Sequence, residues 1–370
     1  MNRREWLART TVLALATVSG TKAAAGNAAA GLLPQQRLVT TRRIEQRFEV
    51  VILNGEGAVC ARCPLPGRGH SFAIDPTGNH LIAFGRQPGF YATVMQAGTL
   101  KLHHTLTPAA NRHFFGHGAF NPDGTVFYAT ENDYANGEGV LGVYAIDARG
   151  HITRSGEWST HGIGPHEVIL LNDKRTLCVA NGGLLTHPDY GKHPLNLADM
   201  CPSLVYLDAT TGQLLEKHVL PEHVHQLSIR HLVQDGQGRV WIGCQYMGSQ
   251  TDDVPLVGVH TPGRHLDMLL GPDHLRRSLK HYIGSMAATP DGQQIASSSP
   301  VGGRVVLWNT TDLSIVNSVS FNDGCGVAGL ATGTFMASNG AGALSMLSST
   351  GHTPLIHAQD TAWDNHIRVV

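Results

Sequence analysis

The sequence predicts an all-β chain folded as a seven-bladed β-propeller, on three observations. A pattern of apolar strand, polar turn and apolar strand recurs along the 370 residues. Its turn positions, Gly78, Gly124, Lys174, Gly238, Gly292 and Gly333, lie 41 to 64 residues apart. The two ends of the chain look like complementary fragments of one further unit. Four short strands per roughly 40–50 residues is the period of a propeller blade, whereas a sandwich would not repeat so regularly.

Each repeat can be read in order. GHSFAIDPTGNHLIAFG (69–85), GHGAFNPDGTVFYATE (116–131) and PHEVILLNDKRTLCVANG (165–182) open the first three blades. RHLVQDGQGRVWIGCQ (230–245), GSMAATPDGQQIASSS (284–299) and CGVAGLATGTFMASNG (325–340) open the next three. Pro-Asp-Gly and similar turns preset φ at Pro and supply positive φ at Gly. A second strand pair follows most of them, as in GVLGVYAIDARGHITRSGEW (139–158) and GRVVLWNTTDLSIVNSVSF (303–321). Residues 366–370 supply an inner strand with no turn after it, and about 37–65 supply outer strands with no inner strand before them. Joining them closes the ring and removes a free sheet edge. No helix-period segment of useful length appears beyond the N-terminus.

The first 30 residues read as a signal. Arg3-Arg4 precedes a mildly apolar run, Thr11 to Ser19, then Lys22 and Ala23-Ala24-Ala25. This is the pattern of a twin-arginine export signal cleaved within 25–30. The run is too short for a stable membrane anchor. The expectation is a signal over 1–30 and a single propeller domain over 31–370, in the periplasm, without stable membrane insertion. With 27 basic and 28 acidic side chains, the chain has no electrostatic footprint for nucleic acid. No phosphate loop suggests a nucleotide. Cys60 and Cys63 have redox or metal spacing, but they fall in an alternating stretch where residues three apart face opposite sides. No second such pair completes a zinc site, and the pair reads as incidental.

The 22 histidines call for a reason, and propeller topology offers one. The Pro-Asp-Gly turns occupy one face. The opposite face collects the starts of the inner strands, at the mouth of the central channel. His70, His113 with His117, His166 with Glu167, His231 and His366 all fall there, from five of seven blades. Arg68, Arg112, Arg230 and Asp364 stand beside them. The longer loops on the same face carry Glu131, Asp133 and Tyr134, then His187, Asp189 and Tyr190, then Gln245 and Tyr246. Aligned on the turns, His117 and His231 share a column, whereas His70 and His166 sit one residue earlier. A one-residue shift reverses side-chain direction in a strand, so all can face inward only if bulges intervene.

PGRGH (66–70), RHFFGHG (112–118), TENDY (130–134), HGIGPHE (161–167), ANGG with THPDYG (180–191), LSIRH (227–231), GCQY (243–246), YIGS (282–285) and WDNH (363–366) together resemble a family of exported bacterial propellers, domain of unknown function 1513. The resemblance spans roughly 37–370. It implies a seven-bladed fold and a genomic association with imelysin-type iron-regulated proteins, hence periplasmic iron handling with such proteins as partners. It implies no settled activity, and CARC (60–63) is not part of its pattern.

Three functions follow as expectations. The first is transition-metal binding at the channel mouth, iron foremost with copper the alternative, because imidazole suits both and carboxylates favour iron. His117, His231 and His366 lead as ligands, with His166, Glu167, His70 and His113 next. The second is a metal-independent hydrolase, lactonase-like, using His with Glu or Asp as acid and base; no nucleophile motif supports it. The third is a docking module for a protein or small ligand, anchored on Tyr134, Tyr190, Tyr246 and Trp363.

Overall fold

A computed structural model describes residues 35–370. They form seven four-stranded antiparallel sheets arranged as a ring, a seven-bladed β-propeller. Blade one comprises Gly69–Ile74, His80–Gly85, Ala92–Gln96 and Leu102–Leu106 from the channel outwards. The inner strands of blades two to six are Arg112–Phe120, Pro165–Leu170, Leu227–Gln234, Ser285–Ala288 and Gly324–Ala331. The export signal expected over 1–30 lies outside the described residues. Among the described residues no helix is long and apolar enough to cross a membrane.

Blade seven is shared between the chain ends. Thr361–Val369 is its inner strand, and Arg37–Ile44, Arg47–Asn54 and Val59–Leu65 lie outside it. The two ends pair antiparallel, with Leu38 opposite Val369, Thr40 opposite Ile367 and Arg42 opposite Trp363. The closing strand therefore begins five residues earlier than the 366–370 expected from the sequence. Trp363 is the reason: its ring is buried and Arg42 covers it, 5.4 Å from guanidinium carbon to ring centroid. That side-chain contact is invisible in a strand pattern.

The turn positions behave as their chemistry requires. Gly78, Gly124, Gly238, Gly292 and Gly333 all have φ between +63° and +82°, and Lys174 adopts φ +61° in the same place. Between blades the sheets pack apolar face on apolar face. Phe84 of blade one meets Phe114 of blade two at 5.5 Å, and within blade two Phe127 stacks on its cross-strand partner Tyr144 at 4.6 Å. Trp241 and Trp308 pack similarly across blades four and five. A six-residue helix, Asp273–Ser278, sits between those two blades, where the sequence suggested none. It buries Leu275 only, too little apolar periodicity to register as a helical pattern.

Cys60 is exposed and Cys63 buried, and both are free, as are Cys178, Cys201, Cys244 and Cys325.

Candidate metal centre at the channel mouth

Six of the seven inner strands are bulged in their mouth-proximal half. In blade two, Phe114 and Gly118 face Glu131 and Ala129, so four steps along the inner strand match two along its neighbour. Blade seven does the same, where Ile367 and Trp363 face Thr40 and Arg42. Blades one, three, four and six carry shorter shifts, at Gly69/Phe72, Pro165/Glu167, Ile229/His231 and Gly324/Val327. A bulge re-aims a side chain and takes backbone groups out of the ladder. Hydroxyls of the second strands recover two of the freed carbonyls: Thr130 donates to His117 O at 3.1 Å, and Thr40 to His366 O at 2.8 Å.

The bulges resolve the register conflict. His70, His117, His166, His231 and His366 are all buried and meet in the channel. Ring centroids lie 5.0 Å apart for His70–His117, 4.8 Å for His70–His366 and 4.7 Å for His117–His366. On the other side, His117–His166 is 5.0 Å, His166–His231 4.8 Å and His231–His366 5.1 Å. Two triplets, His70/His117/His366 and His117/His166/His231, each place three ring nitrogens within 4.8 Å of one another. His117 belongs to both. Gly116 makes the packing possible: a Cβ there would lie 2.5 Å from His70 Cδ2, and its φ of +110° suits glycine alone.

Four of the five rings have a polar partner at Nδ1, whereas His70 Nδ1 is buried without one. Glu167 Oε2 lies 3.2 Å from His231 Nδ1, and its Oε1 3.4 Å from His117 Nδ1. The same carboxylate accepts from Leu232 N at 3.1 Å and from Arg368 at 2.9 Å. His366 Nδ1 meets Ser285 Oγ at 3.3 Å, and His166 Nδ1 meets Arg230 O at 3.1 Å. His117, His231 and His366 are left with buried Nε2 atoms that have no hydrogen-bond partner. A buried ring nitrogen without a partner is costly. Three in one cluster, each on a ring oriented through its other nitrogen, is the pattern of metal ligands held by outer partners.

Ring spacing passes the same test. With metal–nitrogen bonds of about 2.0–2.1 Å, ligating imidazoles at a tetrahedral angle have centroids about 5 Å apart. The six neighbouring pairs cluster around that value, while His117–His231 and His70–His166 are wider, at 5.9 and 5.8 Å. Protonation also suits ligation, which needs neutral imidazole. Burial pushes His70 down to about 3 and His231 down to about 4, and holds His166 and His366 well below the usual histidine range. Burial would raise the Glu167 carboxyl, but His117, His231 and Arg368 outweigh it and keep the group well below the ordinary carboxylate range.

The remaining residues singled out in the sequence divide into four places. Arg68 donates to Asp364 at 2.6 Å at the rim of the cluster, and Asp364 stands 4.0 Å from His70, too far to hydrogen-bond. Arg230, Gln245 and Tyr246 line a cavity of about 480 Å³ together with His70 and His166. His113 stands apart from the five. Its Nδ1 meets Phe114 O at 3.1 Å and its Nε2 meets Asn132 at 3.0 Å, so both nitrogens are occupied. Tyr134 stacks on His113 and touches His187, while Asp189 and Tyr190 are exposed on the adjoining loop. Arg112, Asp133 and Glu131 belong to an ion-pair network within blade two, with Arg154 and Glu157. Buried Glu131 accepts from Tyr144 at 2.6 Å there and does not reach the channel histidines.

Sequence reading overlooked three participants. Arg368 lies within the closing strand with no motif around it. Arg86 and Lys192 line the cavity; Arg86 follows Gly85 at the end of a second strand, where other blades carry their functional loops. That position was the available signal. A further cluster, Glu216, His218 and His260, lies on outer strands. His260 is fully committed there, through Nδ1 to Tyr206 and Nε2 to Arg264 O.

Residues 63–370 match the family described as protein of unknown function DUF1513. The chain belongs to that family. No curated protein matches it in sequence. Its fold is similar to Kuenenia stuttgartiensis hydrazine synthase, at 15% identity and TM-score 0.59 over 79% of this chain and 86% of that one. It is similar also to the Cps50 (Swd1) β-propeller domain of Myceliophteria thermophila, at 11% identity and TM-score 0.55 over 82% and 96%. A functionally unknown protein from Desulfotomaculum acetoxidans follows at 13% identity and TM-score 0.51, over 76% and 84%. At such identities the likeness is one of fold alone, so the reading of this DUF1513 member rests on its own side chains.

Proposed function

We propose that this DUF1513 propeller binds a transition-metal ion, copper or iron, in the histidine cluster of its channel mouth. The observation that carries the reading is the set of orphaned Nε2 atoms on His117, His231 and His366. Two of those rings are oriented by one carboxylate, Glu167. The donor set is nitrogen-rich. Glu167 and Asp364 are spent on imidazoles and arginines rather than left open. An all-imidazole set ranks copper above iron in affinity, and availability decides which ion is loaded. In this reading the Arg3-Arg4 signal delivers the protein to the periplasm, where the ion is held or handed on.

Glu167 does the orienting. It holds the His117 and His231 rings through Nδ1, and Arg368 balances its charge inside the channel. A fixed tautomer, together with the low proton affinity that burial gives His231, reduces the proton competition that weakens ligation.

The test is elemental analysis of the protein purified from its native compartment, followed by titration of the metal-free protein with Cu²⁺ and, without oxygen, Fe²⁺. One tightly held equivalent per chain, lost in the His117→Ala/His231→Ala double variant while circular dichroism stays unchanged, supports the reading. Absence of metal in the native protein together with no saturable binding in vitro overturns it.

A further inference from the structure

The cavity above the histidines carries charge that the metal reading does not use. Arg86, Lys192, Arg230 and Lys280 all line it, and none forms an ion pair among the described residues. Arg230 has a buried Nε without a hydrogen-bond partner. Of the acidic groups nearby, Asp364 is already bonded to Arg68 at 2.6 Å and Asp252 accepts from Tyr246 at 2.6 Å. Desolvation and the neighbouring Arg86, Arg230 and Arg68 push the Lys192 ammonium down to about 8.

Holding several cations around one concavity without a counter-charge is unfavourable, and an anion entering it relieves that cost. Arginine forks match carboxylate and phosphate oxygens in particular. The walls, however, are not purely polar: Phe115, Leu184, Tyr246 and Tyr282 face the same space. A volume of about 480 Å³ falls within the ordinary range for small-molecule sites.

We propose that this cavity binds a small organic anion with two or more carboxylate groups, seated on Arg86, Lys192 and Arg230 beside His70 and His166. The cations select the charge, and the aromatic and aliphatic walls select a carbon skeleton over a bare inorganic ion. This inference stands on the unpaired cations and holds whether or not the histidines carry metal.

Calorimetric titration of the metal-free protein tests it, with citrate, inorganic phosphate and the neutral polyol sorbitol as probes. Metal-free protein is used so that chelation by citrate contributes no heat. Citrate should bind at one site, weaken as salt rises, and bind about tenfold or more weakly to Arg86→Met/Lys192→Met. Both of those side chains lie outside the apolar core, and Arg230 is left intact to protect folding. Phosphate should bind more weakly than citrate, and sorbitol not at all. Equal citrate affinity in wild type and double variant, or no citrate binding, overturns the proposal. Phosphate binding with citrate excluded overturns it as well. The metal reading fails separately, through the His117→Ala/His231→Ala titration.

Discussion

Glu167 and Arg368 are 201 positions apart in sequence and meet at 2.9 Å in the channel. The contact ties blade three to the closing strand of blade seven. It also places a single negative charge behind two of the candidate ligand rings, so ring closure and the metal site share one carboxylate.

Glu167→Gln keeps the shape and removes the charge. Ring orientation through Nδ1 is weakened, and metal affinity should fall about 10–100-fold, the usual cost of losing an outer partner. Titration with Cu²⁺ measures this directly. A variant with full affinity would show that Glu167 is a structural counter-ion for Arg368 only.

Closure depends on the last strand. Deleting Trp363–Val370 removes the partners of Leu38, Thr40 and Arg42 and opens an inner sheet edge, which invites aggregation. The truncated chain should lose its cooperative thermal transition. A melt as sharp as that of the full chain would mean that the ring holds without its seventh inner strand.

Gly116→Ala places a Cβ against His70 and forces a residue with φ of +110° into strain, a cost of about 1–3 kcal/mol. The expected result is a lowered melting temperature with weakened metal binding, because His70 must move. Unaltered binding at full occupancy would place His70 outside the ligand set.

Acid should destabilise the metal-free protein earlier than carboxylate titration would. His231 is held at about 4 when folded and His70 at about 3, whereas unfolded histidine titrates near pH 6.5. Between pH 6.5 and about 4 the unfolded chain takes up protons that the folded chain refuses, so stability falls as pH drops. Glu167 acts in a lower window, since its depressed folded pKa contributes stability that is lost only below its unfolded value. Melting temperatures from pH 7.5 to 4.5 should decline, and His231→Gln should flatten the slope by about 1.4 kcal/mol per pH unit. An unchanged slope would show that the His231 ring is protonated in the folded state.

The blade count, the shared seventh blade and the face on which the histidines gather were all legible in the sequence. Each rests on local chemistry: Pro-Asp-Gly turns, period-two alternation, and a C-terminal strand without a turn. Lys174 shows how strong that signal is, since it adopts the left-handed turn conformation that its position, aligned with five glycines, requires. What the sequence could not decide is where each inward side chain points. The offset between His117 and His70 becomes a common cluster only because blade two carries a longer bulge than blade one. A bulge is set by pairing with the neighbouring strand and by packing against the next blade, neither of which is local. For the same reason tertiary structure alone turned Glu167 towards the imidazoles, kept His113 outside the cluster, and brought Arg86, Lys192 and Arg230 from three separate blades to one cavity.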